Sequence, residues 1–366
     1  ICLLWIFSGQ YKLKIHEIIN SKLMLASIVF FSLHVIGLAW TEDLNWGLHI
    51  VHKMWYFIGL WPILFTIVRK NYIKYYVIAF LLAITITEVF SYLVWFEVIP
   101  QFKNATVRNP TPFMNHISYN PILTFAIYLV LHEVFFNIKL GKFKFFLYSF
   151  FAITMIFNMF ITGGRAGQVM FFAMLIILIF QFFNYEKIKS LILTLVLIPV
   201  IFFVAYQTSH LFEVRVNSAV SDIVSYEVSS NTSVGKRVNY ALNSWDLIKE
   251  NPLIGVGTGD LPSEFKKNSA SNPNREFTTT TNPHNMYNLV LVQLGLVGFF
   301  SFLSIFYYQI KQSVVSPSKF IRDVGITLPL LYFVIMLADS YLLGHFTTLI
   351  YVFFSSFLYK DFEKSK

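Results

Sequence analysis

The sequence predicts an all-α, polytopic membrane protein, a bundle of about 10–12 transmembrane helices with one large loop on the outer face. Of its 366 residues, 56% are hydrophobic and 19% aromatic, while the 13% that are charged amount to half the usual share of a soluble domain. The apolar residues form long continuous runs, whereas the strands of a transmembrane barrel alternate apolar and polar residues. This composition excludes an ordinary cytosolic enzyme, a disordered chain and a nucleic-acid-binding domain.

A helix that crosses the hydrocarbon core needs about 20 apolar residues, and the chain offers about ten such segments. The predicted spans are 22–40, 49–68, 73–97, 117–136, 143–162, 166–183, 188–206, 286–309, 324–341 and 342–359. Residues 1–7 form the end of a further apolar segment, so we expect one or so N-terminal span ahead of this sequence. The chain accordingly divides into N-terminal transmembrane helices (1–206), a large loop (207–285) and C-terminal transmembrane helices with a short tail (286–366).

Lysine and arginine residues cluster in alternate connections between the predicted spans. One set of connections carries most of them: Lys12, Lys14, Lys22, Arg69, Lys70, Lys74, Lys139, Lys142, Lys144, Lys187, Lys189, Lys311, Lys319, Arg322, Lys360, Lys364 and Lys366. By the positive-inside rule these connections face the cytoplasm. The formal net charge of +9 therefore reflects orientation in the membrane, and no nucleic-acid partner is predicted. The loop 207–285 lies on the opposite, outer face.

The large loop contains a predicted amphipathic helix. Thr232 and Ser233 form a capping pair, and the helical pattern stops at Asn251-Pro252. The apolar residues at helical spacing are Val234, Val238, Ala241, Leu242, Trp245 and Ile248. We expect this helix to lie on the bundle at the membrane surface, and we expect residues 262–282, rich in Ser, Asn, Thr and Lys, to be flexible.

Two arginines are predicted at helix N-termini on the outer face. Arg165 follows Gly163 and Gly164, which permit a tight reversal between two spans, and Arg237 lies in the first turns of the loop helix. Free backbone N–H groups, the helix dipole and a guanidinium fork together favour an anion such as phosphate. Alone, Arg165 fits a snorkelling interfacial side chain equally well, and Arg237 fits a solvated surface residue.

His284 closes the large loop at the entrance of the next span, where an imidazole can accept a proton at neutral pH. Asp339 is an acid embedded in the bundle, so it is either functional or the structural partner of an arginine. Lys53, at the outer start of its span, is placed to reach an anion. The weaker candidates for a functional role are Asn285, His116 and Asp339.

Motifs of several other chemistries are absent from these 366 residues. The sequence has no Asp-x-Asp pair, no HExxH motif and no GxSxG motif. The single cysteine, Cys2, permits neither an internal disulfide nor a zinc site with several cysteine ligands. The glycines of 255–260 have the wrong spacing for a nucleotide fingerprint and predict a compact turn. No metal site and no cofactor are predicted, so arginines would have to stabilise any leaving diphosphate.

An ordered set of motifs resembles the O-antigen ligase family, within the wider group of O-antigen polymerases and protein O-oligosaccharyltransferases. The motifs are Leu33 to Asp43, Thr162 to Gln168, Gly235-Lys236-Arg237, Asn251 to Gly257, Pro283-His284-Asn285 and Gln293 to Gly298. They follow the family's order along almost the whole chain. By this resemblance Arg165 corresponds to the family's membrane-edge arginine, Arg237 to its loop arginine and His284 to the histidine of the last loop motif. Lys53 lies near a family lysine.

The resemblance implies an inverting, metal-independent glycosyltransferase of the bacterial inner membrane, with its active site at the periplasmic face. The implied donor is an O-antigen glycan on undecaprenyl diphosphate, held by Arg165, Arg237 and Lys53. The implied acceptor is lipid A–core, activated by His284, and the remaining partners are membrane lipids. One alternative is an O-antigen or exopolysaccharide polymerase or a protein O-oligosaccharyltransferase with the same donor. A non-enzyme alternative is a lipid-linked glycan exporter, which should show polar residues along a path through the bundle.

Overall fold

The structure, a computed structural model, describes residues 2–103, 105–184, 186–224, 232–271 and 279–362. These residues form α-helices joined by turns and short 3-10 segments, and no β-strand occurs among them beyond isolated bridges. Eight helical segments within the described ranges are long and apolar enough to cross a membrane. The predicted all-α, multi-pass membrane fold is therefore confirmed.

The helices fall into two compact units, one made of Ile1–Ile73 with Asp222–Lys366 and the other of Lys74–Ser221. In chain order the helices are α1 (Cys2–Phe7), α2 (Tyr11–Asn20), α3 (Lys22–Ile36), α4 (Leu44–Met54), α5 (Leu60–Ile67), α6 (Ile73–Trp95), α7 (His116–Phe136), α8 (Lys142–Ile161), α9 (Arg165–Phe182), α10 (Lys187–Thr208), α11 (His210–Val224), α12 (Ser233–Glu250), α13 (Leu261–Ser271), α14 (Met286–Val314), α15 (Lys319–Ile335) and α16 (His345–Leu358). The first unit contains α1–α5 and α12–α16, and the second contains nearly all of α6–α11. The three-part division at 206 and 285 stays a prediction.

In the first unit, α3 packs along α14, α14 along α15, and α5 along α16. The rings of Phe30 on α3 and Phe302 on α14 meet at a centroid distance of 5.3 Å, and both side chains are fully buried. Within a membrane, lipid tails are as apolar as leucine, so close packing of this kind holds the helices together. These contacts fix the position of α14 in the first unit.

Helix α14 is interrupted at Gly295, whose φ of 61° lies in the left-handed region that favours glycine. An interruption inside a membrane helix leaves backbone groups that must find partners in the protein. Two such bonds come from the loop after α12: the N–H of Val256 donates to the carbonyl of Val292 at 2.8 Å, and the N–H of Leu296 donates to the carbonyl of Pro252 at 2.9 Å. These bonds hold the loop against the interrupted part of α14.

The segment after α3 closes over the same loop. The Asp260 carboxylate accepts the backbone N–H of Glu42 at 2.9 Å and that of Asp43 at 2.8 Å. The Thr258 hydroxyl donates to the carbonyl of His34 at 2.7 Å. Hydrogen bonds therefore join the segment 33–43, the loop after α12 and the interrupted part of α14, and they hold the N-terminal half of α14.

In the second unit, α7 packs against both α8 and α9. The glycines at the start of α9 make this close approach possible, because a Cβ on Gly167 would lie 2.2 Å from the Cβ of Asn120 on α7. Gly164 would also clash with Asn120, although its φ of −83° is one that any residue adopts. The sequence interpretation attributed the glycine pair to the tight reversal, and for Gly164 that interpretation is wrong. The requirement is close packing of helices.

Three predicted spans have different limits in the structure. The span 49–68 is a broken helix that begins at Leu44 and continues through a 3-10 turn into α5, so Lys53 lies in the last turn of α4 and not at the start of a span. The spans 324–341 and 342–359 are the shorter helices α15 and α16. Asp339 therefore lies in the turn between them. Hydropathy misses these interruptions because most of the interrupting residues, including the 3-10 turns Trp55–Phe57 and Tyr341–Leu343, are apolar.

Helix α12 has the limits that the sequence predicted. The side chain of its N-cap residue Thr232 accepts the N–H of Gly235 at 3.0 Å, and the helix ends at Glu250. Its predicted apolar face is not its buried face: Leu242 is 37% exposed and Trp245 60% exposed, and Val234, Val238 and Ile248 are only partly buried. Helical spacing identifies an apolar stripe but not the medium that it meets, since lipid accepts an apolar face as readily as protein does. The buried face of α12 is instead mostly polar: Gly235, Asn239, Asn243, Ser244 and Leu247.

The prediction that 262–282 is flexible is wrong for its first part. Residues Leu261–Ser271 form α13, with Phe265 fully buried against the ring of Tyr240 on α12. The polar composition of this segment gave no indication of a helix. The buried ring of Phe265 packs α13 against α12. Residues 272–278 lie outside the described residues.

Candidate functional site

The predicted site residues belong to both units. His284, Arg237, Lys53, Asn285 and Asp339 are in the first unit. The structure brings His284 and Asp339 into direct contact, although they are 55 positions apart along the chain. Arg165 and His116 are in the second unit.

His284 lies in the loop that enters α14 and faces the turn after α15. Its Nδ1 atom is 3.2 Å from Oδ1 of Asp339, and the same oxygen accepts the side-chain amide of Asn282 at 2.9 Å and the N–H of Ser340 at 2.7 Å. The histidine side chain is 38% exposed and the aspartate 14% exposed. The side chain paired with Asp339 is thus this histidine and not an arginine. The aspartate is mostly buried, whereas the histidine is accessible.

Asn282 holds both members of this pair. Its side-chain oxygen accepts the N–H of His284 at 2.9 Å and the hydroxyl of Ser340 at 2.7 Å. His284 has a φ of 50°, a left-handed conformation that costs a non-glycine residue about 1–3 kcal/mol. These hydrogen bonds maintain it. Asn282 was not among the predicted residues, and its signal was an asparagine two positions before the histidine, a spacing at which the side chain bonds the backbone N–H.

The charge state of Asp339 follows from its neighbours. Burial by itself raises the pKa of the Asp339 carboxyl, but the hydrogen bond and charge of His284, with the donors of Ser340 and Asn282, outweigh burial and hold the pKa below its usual value. The carboxylate is therefore ionised at neutral pH. An ionised acceptor at Nδ1 selects the histidine tautomer with its proton on Nδ1, which leaves Nε2 as the proton-accepting atom.

Helix α12 carries the loop arginine towards the same histidine. The ring of His284 stacks on Tyr240, with centroids 5.9 Å apart and planes at 25°. Arg237 is three residues before Tyr240, and residues three apart share a helix face. The Arg237 side chain is exposed, and its positive charge acts on the hydroxyl of Tyr341 in the turn after Asp339. The first unit therefore presents a histidine base and an arginine within one local structure.

Asn285 and Lys53 have different positions. The side-chain oxygen of Asn285 accepts the N–H of Tyr287 at 2.9 Å as the N-cap of α14, so its evident role is to anchor the helix that follows His284. Lys53 is partly exposed on α4, which packs against the 3-10 turn Tyr341–Leu343.

In the second unit, Arg165 is the first residue of α9, as predicted. Arg165 and Arg215 of α11 both act electrostatically on His116, and a Cβ on Gly163 would lie 3.1 Å from the Arg215 guanidinium. The Nδ1 atom of His116 is 2.9 Å from the side-chain amide of Asn109. Converging positive charge at a helix N-terminus suits an anion. Arg215 was not among the predicted residues, and nothing in the sequence distinguishes it from the other basic residues of the loop 207–285.

An apolar cleft of about 1120 Å³ also lies in the second unit, between α8 and α10. Aliphatic and aromatic side chains line most of it, and its lining includes Phe157, Phe160, Val200 and the cationic Arg108. Such a cleft suits the chain of a lipid that carries an anionic head group. No group of three or more His, Cys, Asp or Glu side chains in the described part of the chain is arranged to hold a metal ion.

Comparison with known families gives a match to the central part of the chain. Residues 150–303 match the model of the O-antigen ligase family, a range that includes Arg165, Arg237 and His284. No curated protein matches the chain. The family indicates glycosyltransferase activity of the O-antigen ligase or polymerase type, with lipid-linked glycans as substrates. The predicted resemblance is thus confirmed: residues 150–303 of this chain match the O-antigen ligase family.

Proposed function

We propose that this protein is an inverting, metal-independent glycosyltransferase that moves an O-antigen glycan from undecaprenyl diphosphate to lipid A–core, at the periplasmic face of the bacterial inner membrane. The observation that carries the proposal is the His284–Asp339 pair, with Nδ1 and Oδ1 3.2 Å apart, stacked beside the helix that bears Arg237. The family match supports the reaction class.

His284 acts on the acceptor. Its Nε2 atom takes the proton of the attacking hydroxyl while that oxygen bonds to the anomeric carbon and the bond from this carbon to the diphosphate breaks. A positioned general base of this kind contributes about 10²–10⁴-fold to a rate. Asp339 is a positioning residue, because its carboxylate orients the imidazole and stabilises the imidazolium that forms.

Arg237 acts on the donor. Its guanidinium offers paired N–H donors to the diphosphate and stabilises the negative charge that grows as the glycosidic bond breaks. For Arg165 and Lys53 the same role rests on the family resemblance.

The acceptor is tested directly. Purified protein is incubated with an undecaprenyl-diphosphate glycan and, in separate reactions, lipid A–core, a second donor glycan or a serine-containing peptide. Transfer to lipid A–core alone supports the proposal. Transfer to the glycan or to the peptide assigns the protein to the polymerases or to the protein oligosaccharyltransferases, and no transfer to any acceptor overturns the proposed activity.

The division of labour is tested with His284→Ala and Arg237→Ala. We expect His284→Ala to lower the transfer rate about 10²–10⁴-fold with donor affinity nearly unchanged. Arg237→Ala should weaken donor binding about ten- to a hundredfold, and lysine should rescue only partly because a point charge lacks the planar fork. His16→Ala, at an exposed histidine of α2, is the control and should leave both quantities unchanged. Donor binding lost in step with activity in His284→Ala refutes the assignment of this histidine to the acceptor.

A further inference from the structure

Tyr341 carries a buried hydroxyl that the fold does not use. The residue is 3% exposed, and its hydroxyl has no hydrogen-bond partner among the described residues. Two other buried tyrosines of the first unit are satisfied: Tyr332 donates to the carbonyl of Thr347 at 2.6 Å, and Tyr359 donates to the carbonyl of Gly325 at 2.9 Å. An unsatisfied buried hydroxyl is unfavourable by about 1–3 kcal/mol, so this exception requires a physical reason.

The position of Tyr341 is held by its backbone. Its N–H donates to the carbonyl of Asp339 at 3.0 Å, and its carbonyl accepts the hydroxyl of Thr347. The turn that begins with Tyr341 packs against α4 and α16. The backbone of Tyr341 is therefore held in the same turn as the partner of His284.

The hydroxyl is a donor at neutral pH. Burial raises the pKa of Tyr341 above its usual value, the charge of Asp339 raises it further, and the charge of Arg237 partly opposes both effects. A protonated phenol can donate a hydrogen bond, and a guanidinium has donors only, so both can bind the same acceptor group. An acceptor-only group, such as a phosphate oxygen, complements that pair.

We propose that the Tyr341 hydroxyl donates a hydrogen bond to an oxygen of the same diphosphate that Arg237 binds, which makes Tyr341 a further donor-binding residue. This inference rests on the proposed function. Without a ligand, the unpaired hydroxyl destabilises the protein. A bound phosphate oxygen supplies the missing acceptor, so the hydrogen bond adds to the affinity for the ligand. The bond strengthens as negative charge grows on the leaving diphosphate, so it favours the transition state over the bound donor.

Tyr341→Phe tests the inference, since it removes the hydroxyl and little else, and Tyr332→Phe is the matched control. We expect Tyr341→Phe to weaken the binding of undecaprenyl diphosphate, measured without acceptor, about tenfold or more. Transfer should slow at least as much. The KM for the acceptor should be unchanged, and the melting temperature should not fall. Tyr332→Phe should lower the melting temperature, because it removes the hydrogen bond to the carbonyl of Thr347, and should leave diphosphate affinity unchanged.

A double-mutant cycle with Arg237→Lys supplies the second measurement. If both side chains hold one diphosphate, the combined loss of affinity should differ from the sum of the single losses. Wild-type affinity in Tyr341→Phe, or additive losses in the cycle, overturns the role of Tyr341 while an active wild-type protein keeps the proposed function. A wild-type protein that neither binds undecaprenyl diphosphate nor transfers glycan overturns the proposed function itself.

Discussion

Replacement of Asp339 by asparagine removes the negative charge beside His284 and keeps a side chain of nearly the same shape. The carboxylate oxygen accepts three donors, from His284 at 3.2 Å, Asn282 at 2.9 Å and Ser340 at 2.7 Å. In Asp339→Asn the side-chain amide would keep one acceptor oxygen for them. A hydrogen bond to a charged group contributes about 1.5–3 kcal/mol and a neutral one about 0.5–1.5 kcal/mol. The difference of about 1–2 kcal/mol predicts a fall in transfer rate of roughly 5- to 30-fold, with donor affinity unchanged.

The pH dependence has a definite sign. The pKa of Asp339 is lowered in the folded protein, so the stability from its ionised form is present above the usual aspartate value, about 3.9, and is lost as the pH falls through the lower folded value. Ionisation of Asp339 therefore does not limit the rate near neutral pH. In Asp339→Asn this carboxylate is absent, so its contribution to the pH dependence of the free energy of unfolding at acidic pH should be absent too.

The assay measures the transfer rate and the donor affinity of folded Asp339→Asn at neutral pH, and its free energy of unfolding at neutral and acidic pH. Asp323→Asn is the control, because Asp323 is a buried carboxylate on α15 that pairs with Lys319 at 2.8 Å. It should lose stability with the transfer rate unchanged. A wild-type transfer rate in Asp339→Asn would refute the role of Asp339, as would loss of donor binding together with activity.

Two further predictions concern orientation and metal dependence. Reporter fusions at Lys142 and Ser269 should give opposite signals, because the positive-inside rule predicts that the positive connections face the cytoplasm and that the large loop faces the other side. Equal signals contradict the predicted topology. Glycan transfer should proceed in EDTA, because arginines are proposed to stabilise the leaving diphosphate; activity lost on chelation and restored by Mg²⁺ or Mn²⁺ would show that the leaving-group chemistry is misassigned.

The properties that the sequence determined alone are local ones. Long apolar runs predicted the membrane helices, and the cap at Thr232 with the stop after Glu250 predicted α12 to the residue. The start of α9 at Arg165 was predicted from the turn before it. Caps and hydropathy act within a few residues, so these signals survive without any knowledge of tertiary contacts.

Only the tertiary structure decided which side chains meet. His284 and Asp339 pair because a loop before α14 and a turn after α15 are packed side by side, and no spacing along the chain encodes that contact. The orphan hydroxyl of Tyr341 becomes visible only once every neighbouring donor and acceptor is placed. The face that α12 buries was also decided by packing, because an apolar stripe meets lipid or protein with similar free energy, and only its neighbours determine which.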